Sequence, residues 1–242
     1  MYIIKLDAID STNSYLKTIC VKNTPKDLTV VIAEYQTNGR GQMGTNWQVE
    51  ASKNLTFSVF KHVSFLKVSE QFYISMAVAL GITKALKELQ IPKITIKWPN
   101  DILSEHKKIA GILIENVIKN NTLEGSIIGV GLNVNQKFFD NLPNASSLSL
   151  VSGIIYNKDE VFHLILKNIL EYLKRLESDL KPLKKEYEDK LFRIKKPSTF
   201  KSNGGQVFSG FIEGVSLDGK LKLRLEDDII KTYDLKEVEL LY

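Results

Sequence analysis

The stretch with the clearest chemical potential is a glycine-rich loop, Gly39-Arg40-Gly41-Gln42-Met43-Gly44. Glycines let backbone N–H groups approach a ligand closely, and an arginine fork suits a carboxylate or a phosphate. The loop also fits the dinucleotide-binding pattern G-x-G-x-x-G, which needs a helix directly after it and an acidic residue about 20 positions later. Because the chain continues through Trp47 toward a strand, we reject that reading. An anion-binding loop and a hairpin with an exposed arginine both remain open.

A second candidate lies at Lys97-Trp98-Pro99-Asn100-Asp101. On a strand, Lys97 and Trp98 point to opposite faces, and Pro99 ends the strand. We predict that Asn100 and Asp101 form the following turn and expose a carboxylate, which could hold Mg²⁺ or a substrate amine. A turn whose side chains satisfy their own backbone explains the same residues.

Two lysines open a third candidate, Lys107-Lys108-Ile109-Ala110-Gly111, which continues as an apolar strand to Glu115. The small Ala110 and Gly111 indicate the close approach of a ligand or another backbone. A lysine beside them could neutralise a carboxylate or an α-phosphate. The alternative is a pair of solvated hairpin lysines.

A fourth candidate is the end of the next strand, where Gly129 and Gly131 alternate and Asn133 follows. Two glycines on one strand face clear room for something flat, and Asn133 could hydrogen-bond a base or ribose. A bulge followed by a turn asparagine is the alternative.

The fifth candidate is Asp10-Ser11-Thr12-Asn13, at the predicted start of the first helix. Short polar side chains and free backbone N–H groups there form a polar site. Simple N-capping by Asp10 or Ser11 explains the same residues.

These stretches lie on a predicted mixture of strands and helices. We predict strands over 2–9, 28–36, 54–60, 94–98, 108–118 and 125–134. Helices are predicted from Asp10 or Ser11 to about Lys22, over 68–90, from Asn157 onward, and after Pro182, with a loop over 136–153. From residue 196 short β-like runs alternate with turns such as Asp218-Gly219, which indicates a small β-barrel. The predicted fold is α+β, with a mixed or antiparallel sheet flanked by helices in residues 1–195 and the barrel in 196–242.

Composition limits the classes of function. The chain has 33 basic and 28 acidic residues, a net charge of +5, and one cysteine. No intrachain disulfide is possible, and no apolar run approaches the roughly 18 residues of a membrane span. We therefore expect a cytoplasmic protein without a membrane partner. The lysines are spread among acids, as on a solvated helix face, although they could also attract an anionic partner such as ATP.

The five stretches, in this order, resemble the biotin–protein ligase family over residues 8–135. The resemblance rests on Ser11-Thr12-Asn13, Gly39-Arg40-Gly41, Lys97 to Asp101, Lys108 to Glu115, and Gly131-x-Asn133. It implies a class II synthetase-like catalytic domain followed by an SH3-like β domain. It also implies a two-step reaction: ATP with Mg²⁺ activates biotin to biotinyl-5′-AMP, and a lysine of a biotin carboxyl carrier domain then takes the biotin. The work would be positioning and charge stabilisation, without an enzyme nucleophile.

The resemblance also implies roles for particular residues. The catalytic residues would be Arg40, Lys108 and Asp101, and Asp101 would lie near the Mg²⁺. Biotin would be bound by Ser11, Thr12, Asn13, Gln36, Arg40, Gly41, Gln42, Lys108 and Gly111. The adenylate would be bound by Arg40, Trp47, Lys97, Asn100 and Asn133.

Two departures from the family pattern matter. Where the family often has further arginines in the loop, this chain has Gln42 and Thr45, so we expect weaker retention of the adenylate. Family members that repress transcription carry a helix-turn-helix before the catalytic region, and no room for one precedes Ser11, so we expect no specific DNA binding. The resemblance also makes a homodimer plausible.

Two other functions compete with this one. A lipoate or octanoate–protein ligase shares the fold but needs a more apolar pocket and different arginine and glycine motifs. A non-catalytic nucleic-acid-binding module would use the basic charge and the C-terminal β domain, yet that segment carries the acidic run Glu226-Asp227-Asp228.

Overall fold

The computed structural model describes all residues from Met1 to Tyr242 and contains two β-sheets with five α-helices. The large sheet has seven strands in the order β1-β2-β3-β7-β6-β5-β4. Only the β1–β2 pair is parallel, so the predicted mixed sheet flanked by helices is confirmed. Its strands are β1 (Tyr2–Ile9), β2 (Thr29–Gln36), β3 (Leu55–His62), β4 (Ile94–Lys97), β5 (Asp101–Ser104), β6 (Lys107–Lys119) and β7 (Thr122–Leu132).

Helices cover the two faces of this sheet unequally. The helices are α1 (Thr12–Lys22), α2 (Phe72–Glu88), α3 (Leu148–Ser152), α4 (Lys158–Lys174) and α5 (Leu180–Glu188). Helix α2 is buried along most of its length and packs with α4 over one face. On the other face α1 packs alone, burying Leu16 against Val31, Phe60 and Ile127. Because α1 covers only part of this face, the remainder is free to form a site.

The C-terminal part forms a second, five-stranded antiparallel sheet in the order β11-β10-β9-β8-β12. Its strands are β8 (Pro197–Ser202), β9 (Val207–Val215), β10 (Leu221–Arg224), β11 (Ile230–Tyr233) and β12 (Val238–Leu241). A second small β unit was predicted and is present. Its inward side chains Phe200, Ile212 and Leu223 belong to the same apolar core as α2 and the large sheet. A domain division after residue 195 stays a prediction, since the core runs across it.

Several local predictions are confirmed and a few are wrong. Ser11 caps α1 through its side chain, and Asn157 caps α4 by accepting from Asp159 N at 2.9 Å. The predicted loop over 136–153 contains α3, capped by Ser147. Helix α5 begins before Pro182, which lies in its first turn, where proline costs no hydrogen bond. The long helix begins at Phe72 because Val68–Glu70 forms a separate 3-10 turn. No helix is both long and apolar enough to cross a membrane.

Candidate active site

A cavity of about 680 Å³ lies between the α1 face of the large sheet and the C-terminal sheet. Nearly all of the predicted site residues line it: Ser11, Thr12, Asn13, Gln36, Arg40, Gly41, Gln42, Trp47, Lys97, Asn100, Asp101, Lys108 and Gly111. The structure thus brings together stretches that are up to 100 positions apart in the chain. The C-terminal sheet and its loops add a second wall, which includes Lys201, Asn203, Lys236 and Glu239.

One end of the cavity is a neutral, hydrogen-bonded recess at the start of α1. Gln36 Oε1 accepts from Thr12 N at 2.8 Å and from Thr12 Oγ1 at 3.1 Å. Ser58 Oγ, from β3, lies 2.6 Å from Asn13 Oδ1 and 2.7 Å from Thr12 Oγ1. Since both bonds to Gln36 use its Oε1 atom, its amide nitrogen remains a donor for a ligand. The recess therefore offers hydroxyl and amide groups held in a fixed arrangement.

The glycine-rich loop folds over the cavity as a tight hairpin. Arg40 pairs with Asn46 in an isolated β-bridge, and Gly41 N donates to Thr45 O at 2.6 Å. A Cβ on Gly41 would overlap Thr45, so the hairpin needs glycine there. Lys236, from the loop before β12, donates to the carbonyl of Met43 at 3.3 Å. This contact ties the loop to the C-terminal wall.

The room cleared by the alternating glycines of β7 is filled, as the sequence predicted, by flat groups. A Cβ on Gly131 would overlap the indole of Trp47, and a Cβ on Gly129 would overlap the amide of Asn13. Gly111 on β6 also faces the indole, at 3.1 Å from where its Cβ would lie. The flat occupant of this face is thus a side chain of the protein itself, which forms a cavity wall.

An ion pair between Asp101 and Lys108 lies on the floor of the cavity. Asp101 Oδ1 is 2.6 Å from Lys108 Nζ, and the side chains are 17% and 34% exposed. Asp101 was predicted in a turn, but it begins β5 and pairs with Gly111 across the strands. Its carboxylate therefore has a fixed direction instead of the freedom of a turn.

A β-bulge aims Lys108 at the cavity. The β5–β6 register shifts between Ile102 and Leu103, which adds one residue to β6 near Lys108. Without that residue, Lys108 and Gly111, three positions apart, would point to opposite faces of the strand. With it, Lys108 Nζ is 3.5 Å from where the Cβ of Gly111 would lie and 5.4 Å from the Trp47 ring centroid. The backbone of Lys108 is held by Asn144 O and Ser146 N, at 2.7 and 2.9 Å.

Lys97 and Asn100 line the cavity beside this pair. Asn100 donates from Nδ2 to Ile112 O at 2.7 Å, which ties the β4–β5 hairpin to β6. Lys97 Nζ lies 4.7 Å from the ring centroid of Tyr242. Burial raises the pKa of the Tyr242 phenol, and the nearby Asp101 carboxylate raises it further. The phenol therefore stays neutral beside the ion pair.

Asn133 was predicted to reach a base or ribose, but the structure does not bring it to the cavity. It is 4% exposed, and its Nδ2 donates to Ser146 O at 2.9 Å. Its backbone N–H donates to Ile109 O at 2.8 Å. These bonds hold the 144–148 segment against the bulge of β6, so the geometry gives Asn133 a supporting position.

Sequence reasoning missed three groups at this site. Ser58 lies in an ordinary strand and gave no signal. Glu115 is the last residue of the stretch that begins at Lys107, and no role was predicted for it from the sequence. In the structure it contacts Asn13 and Arg40. The C-terminal wall was missed because nothing local in residues 196–242 indicates which surface the second sheet covers.

Few acidic side chains face the cavity. They suit a metal ion bound mainly by substrate phosphates better than one bound only by protein side chains. Asp101 and Glu239 are the two carboxylates among the lining residues. No group of three or more histidine, cysteine or acidic side chains in the chain is arranged so that it could hold a metal ion. Mg²⁺ commonly binds through one or two carboxylates plus substrate phosphates, so Asp101 could serve as one such ligand.

The chain is similar in sequence and in structure to known biotin ligases. The chain is 28% identical over 237 residues to the bifunctional ligase/repressor BirA of Bacillus subtilis, covering 96% of this chain and 72% of that protein. It is 28% identical to the biotin–[acetyl-CoA-carboxylase] ligase of Mycobacterium tuberculosis, covering 88% and 79%. Among solved structures, the biotin protein ligase of Aquifex aeolicus in complex with biotin and ATP superposes with a TM-score of 0.81 at 28% identity, covering 99% and 98%.

The family profile agrees with these likenesses. The profile described as the biotin/lipoate A/B protein ligase family matches residues 6–133, which is more than half of the chain. That range contains every lining residue of the large sheet and the glycine-rich loop described above. The chain belongs to the biotin/lipoate A/B protein ligase family.

Proposed function

We propose that this chain is a biotin–protein ligase, which activates biotin with ATP and transfers it to a lysine of a biotin carboxyl carrier domain. The observation that carries the proposal is that one cavity combines two kinds of group. A neutral hydrogen-bonding recess at Thr12 and Gln36 and the cations Arg40 and Lys108 line the same cavity. Biotin needs both, because it has a neutral ureido ring at one end and a carboxylate at the other.

The activation step joins two anions, which repel each other, and the cations of the cavity reduce that repulsion. The biotin carboxylate attacks the α-phosphate of ATP, a P–O bond to pyrophosphate breaks, and biotinyl-5′-AMP forms. Arg40 and Lys108 would neutralise the carboxylate and the phosphoryl oxygens as they approach. The Asp101 partner, 2.6 Å from Lys108 Nζ, holds that ammonium in place before substrate binds. Any Mg²⁺ would enter on the ATP phosphates, with Asp101 as the candidate protein ligand.

The transfer step needs a neutral lysine amine at the acyl carbon. The acceptor nitrogen forms the amide bond, the acyl–oxygen bond to AMP breaks, and one proton leaves the amine. Asp101 is the carboxylate on the cavity floor that could receive or relay this proton. Its fixed direction at the start of β5 suits that role better than a flexible turn would.

The direct test is biotin-dependent exchange of radiolabelled pyrophosphate into ATP by the purified chain. We expect exchange that requires both biotin and Mg²⁺, followed by biotinylation of an added carrier domain. Exchange supported by lipoate or octanoate alone would move the chain to the other branch of its family. No exchange with any of these acids, in a folded sample supplied with Mg²⁺, would contradict the proposal.

The glycine-rich loop predicts how firmly the adenylate is held. Gln42 lines the cavity and contributes no charge, whereas the family pattern that the loop resembles often has arginine there. Changing Gln42 to arginine should slow the release of biotinyl-5′-AMP by about fivefold to tenfold, since one exposed charge-assisted contact is worth roughly 1 kcal/mol. The release rate is measured by filtration of preformed complex, with Gln48→Arg as the control. Equal release from wild type and Gln42→Arg would contradict this prediction.

Three further expectations stay predictions. A homodimer can be tested by light scattering of the purified chain. Specific DNA binding is not expected, and a salt-sensitive, sequence-specific complex would overturn that. A cytoplasmic location can be tested by fractionation of the source cells.

A further inference from the structure

Glu115 stands behind the biotin end of the cavity without lining it. On β6, residues 111, 113 and 115 share one face, because side chains alternate along a strand. Gly111 and Leu113 of this face line the cavity. Glu115 is the next residue along, and its side chain is 20% exposed. It therefore approaches the site from the side of α1.

The two carboxylate oxygens of Glu115 contact two different site residues. Oε2 accepts from Asn13 Nδ2 at 2.9 Å, and Oε1 pairs with Arg40 Nη2 at 3.1 Å. Lys17 on α1 lies farther away, 3.8 Å from Oε1, and is 62% exposed. One carboxylate thus joins the start of α1 to the glycine-rich loop, in addition to the direct contact between Arg40 and Ser14.

Two acceptors fix which way the Asn13 amide faces: Glu115 Oε2, 2.9 Å from Asn13 Nδ2, and the more distant Leu113 carbonyl, at 3.4 Å. An ionised carboxylate only accepts hydrogen bonds, so it must meet the nitrogen of the Asn13 amide. The oxygen then faces Ser58, at 2.6 Å, and Ser58 is also 2.7 Å from Thr12. Glu115, as the nearer of the two acceptors, therefore helps to orient the recess in which we place the biotin ring. Asn13 is 2% exposed, so water is a poor substitute partner.

The contact with Arg40 orients a cation without consuming it. Arg40 also donates from Nη1 to Ser14 Oγ at 3.3 Å. A guanidinium has five N–H donors, and two are used here, which leaves three for an anionic ligand. Lys17 lies beside Glu115 and adds a second positive charge, so the net charge of Glu115, Arg40 and Lys17 together is positive. An arginine that is 41% exposed would otherwise sample many rotamers, at a cost in ordering when ligand binds.

We propose that Glu115 is a positioning residue for the biotin subsite, which holds Asn13 and Arg40 in the geometry that receives the acid. This inference rests on the proposed function. An isolated surface ion pair contributes little, but this carboxylate is mostly buried and holds two groups at once. Changing Glu115 to glutamine removes the negative charge that pairs with Arg40 and keeps the size of the side chain.

The test is steady-state pyrophosphate exchange by the full chain with separate titrations of biotin and ATP. For Glu115→Gln we expect the KM for biotin to rise about tenfold, as for loss of one charge-assisted bond, while the KM for ATP changes less than about twofold. The matched control is Glu171→Gln, which removes a remote carboxylate paired with Lys84 and should behave as wild type. Thermal unfolding of each variant reports whether the fold is retained.

The outcomes separate the two proposals. If wild type gives no biotin-dependent exchange, the proposed function fails whatever Glu115 does. If wild type is active and Glu115→Gln keeps the wild-type KM for biotin, the positioning role is overturned. A variant with both KM values unchanged, a reduced kcat and a lower unfolding temperature would show a merely structural residue and would also overturn it.

Discussion

Replacing Lys108 by alanine is expected to slow formation of biotinyl-5′-AMP by about a hundredfold or more, as for the loss of a preorganised charge at a reacting centre. Lys108 is the ammonium on the cavity floor, and its partner Asp101 lies 2.6 Å away. Its removal both subtracts a cation and leaves the Asp101 carboxylate uncompensated against an incoming anion. The fold should persist because the side chain is 34% exposed and makes no part of the apolar core. The rate is measured in single turnover with excess enzyme.

The neighbouring lysine provides the control. Lys107 is exposed and donates from Nζ to Pro143 O, away from the cavity. Lys107→Ala should therefore adenylate biotin at close to the wild-type rate. If Lys108→Ala also adenylates at a near-normal rate while folded, Lys108 would have to be removed from the reacting centre.

Replacing Gly131 by alanine is expected to displace Trp47 and reduce biotin-dependent exchange by at least about tenfold. The new Cβ would overlap the indole far inside van der Waals contact. The backbone cannot retreat easily, because Gly131 pairs with Thr56 on one side and with Gly111 on the other. The indole must therefore move into the cavity, or the strand must strain at a cost of about 1–3 kcal/mol. Tryptophan fluorescence reports the displacement, and urea unfolding reports the strain.

A glycine in open space gives the matched control for this change. Gly204, in the β8–β9 turn, has only Ser202 Oγ nearby, at 3.8 Å from where its Cβ would lie. Gly204→Ala should keep wild-type fluorescence and activity. Unaltered fluorescence, stability and exchange in Gly131→Ala would contradict the close packing of Trp47 on β7.

Local chemistry explains which parts could be predicted from the sequence. Helix caps at Ser11 and Asn157 depend on neighbouring backbone groups, so residue type and spacing predict them. The alternation of Gly129 and Gly131 likewise indicates an open strand face, because strand periodicity is local. The large strands and long helices followed from the periodicity of their apolar residues. The order of motifs indicated the family.

Only the tertiary structure decided which side chains meet. Asn13 contacts Glu115 across 102 positions, and Trp98 donates to Gly219 across 121. No local pattern encodes such a pairing, since it depends on strand order and on how two sheets pack. For the same reason the C-terminal wall of the cavity was not foreseen.

The direction in which each side chain points was the other property that the sequence did not predict. The bulge on β6 turns Lys108 toward the cavity, while Asn133 turns away from it to hold Ser146. A shift of one residue in register reverses the face of a side chain, and that shift is set by hydrogen bonds between strands. The sequence by itself thus indicated the family, the main elements and most of the candidate residues that line the cavity. The fold determined their distances and directions, because these depend on non-local packing.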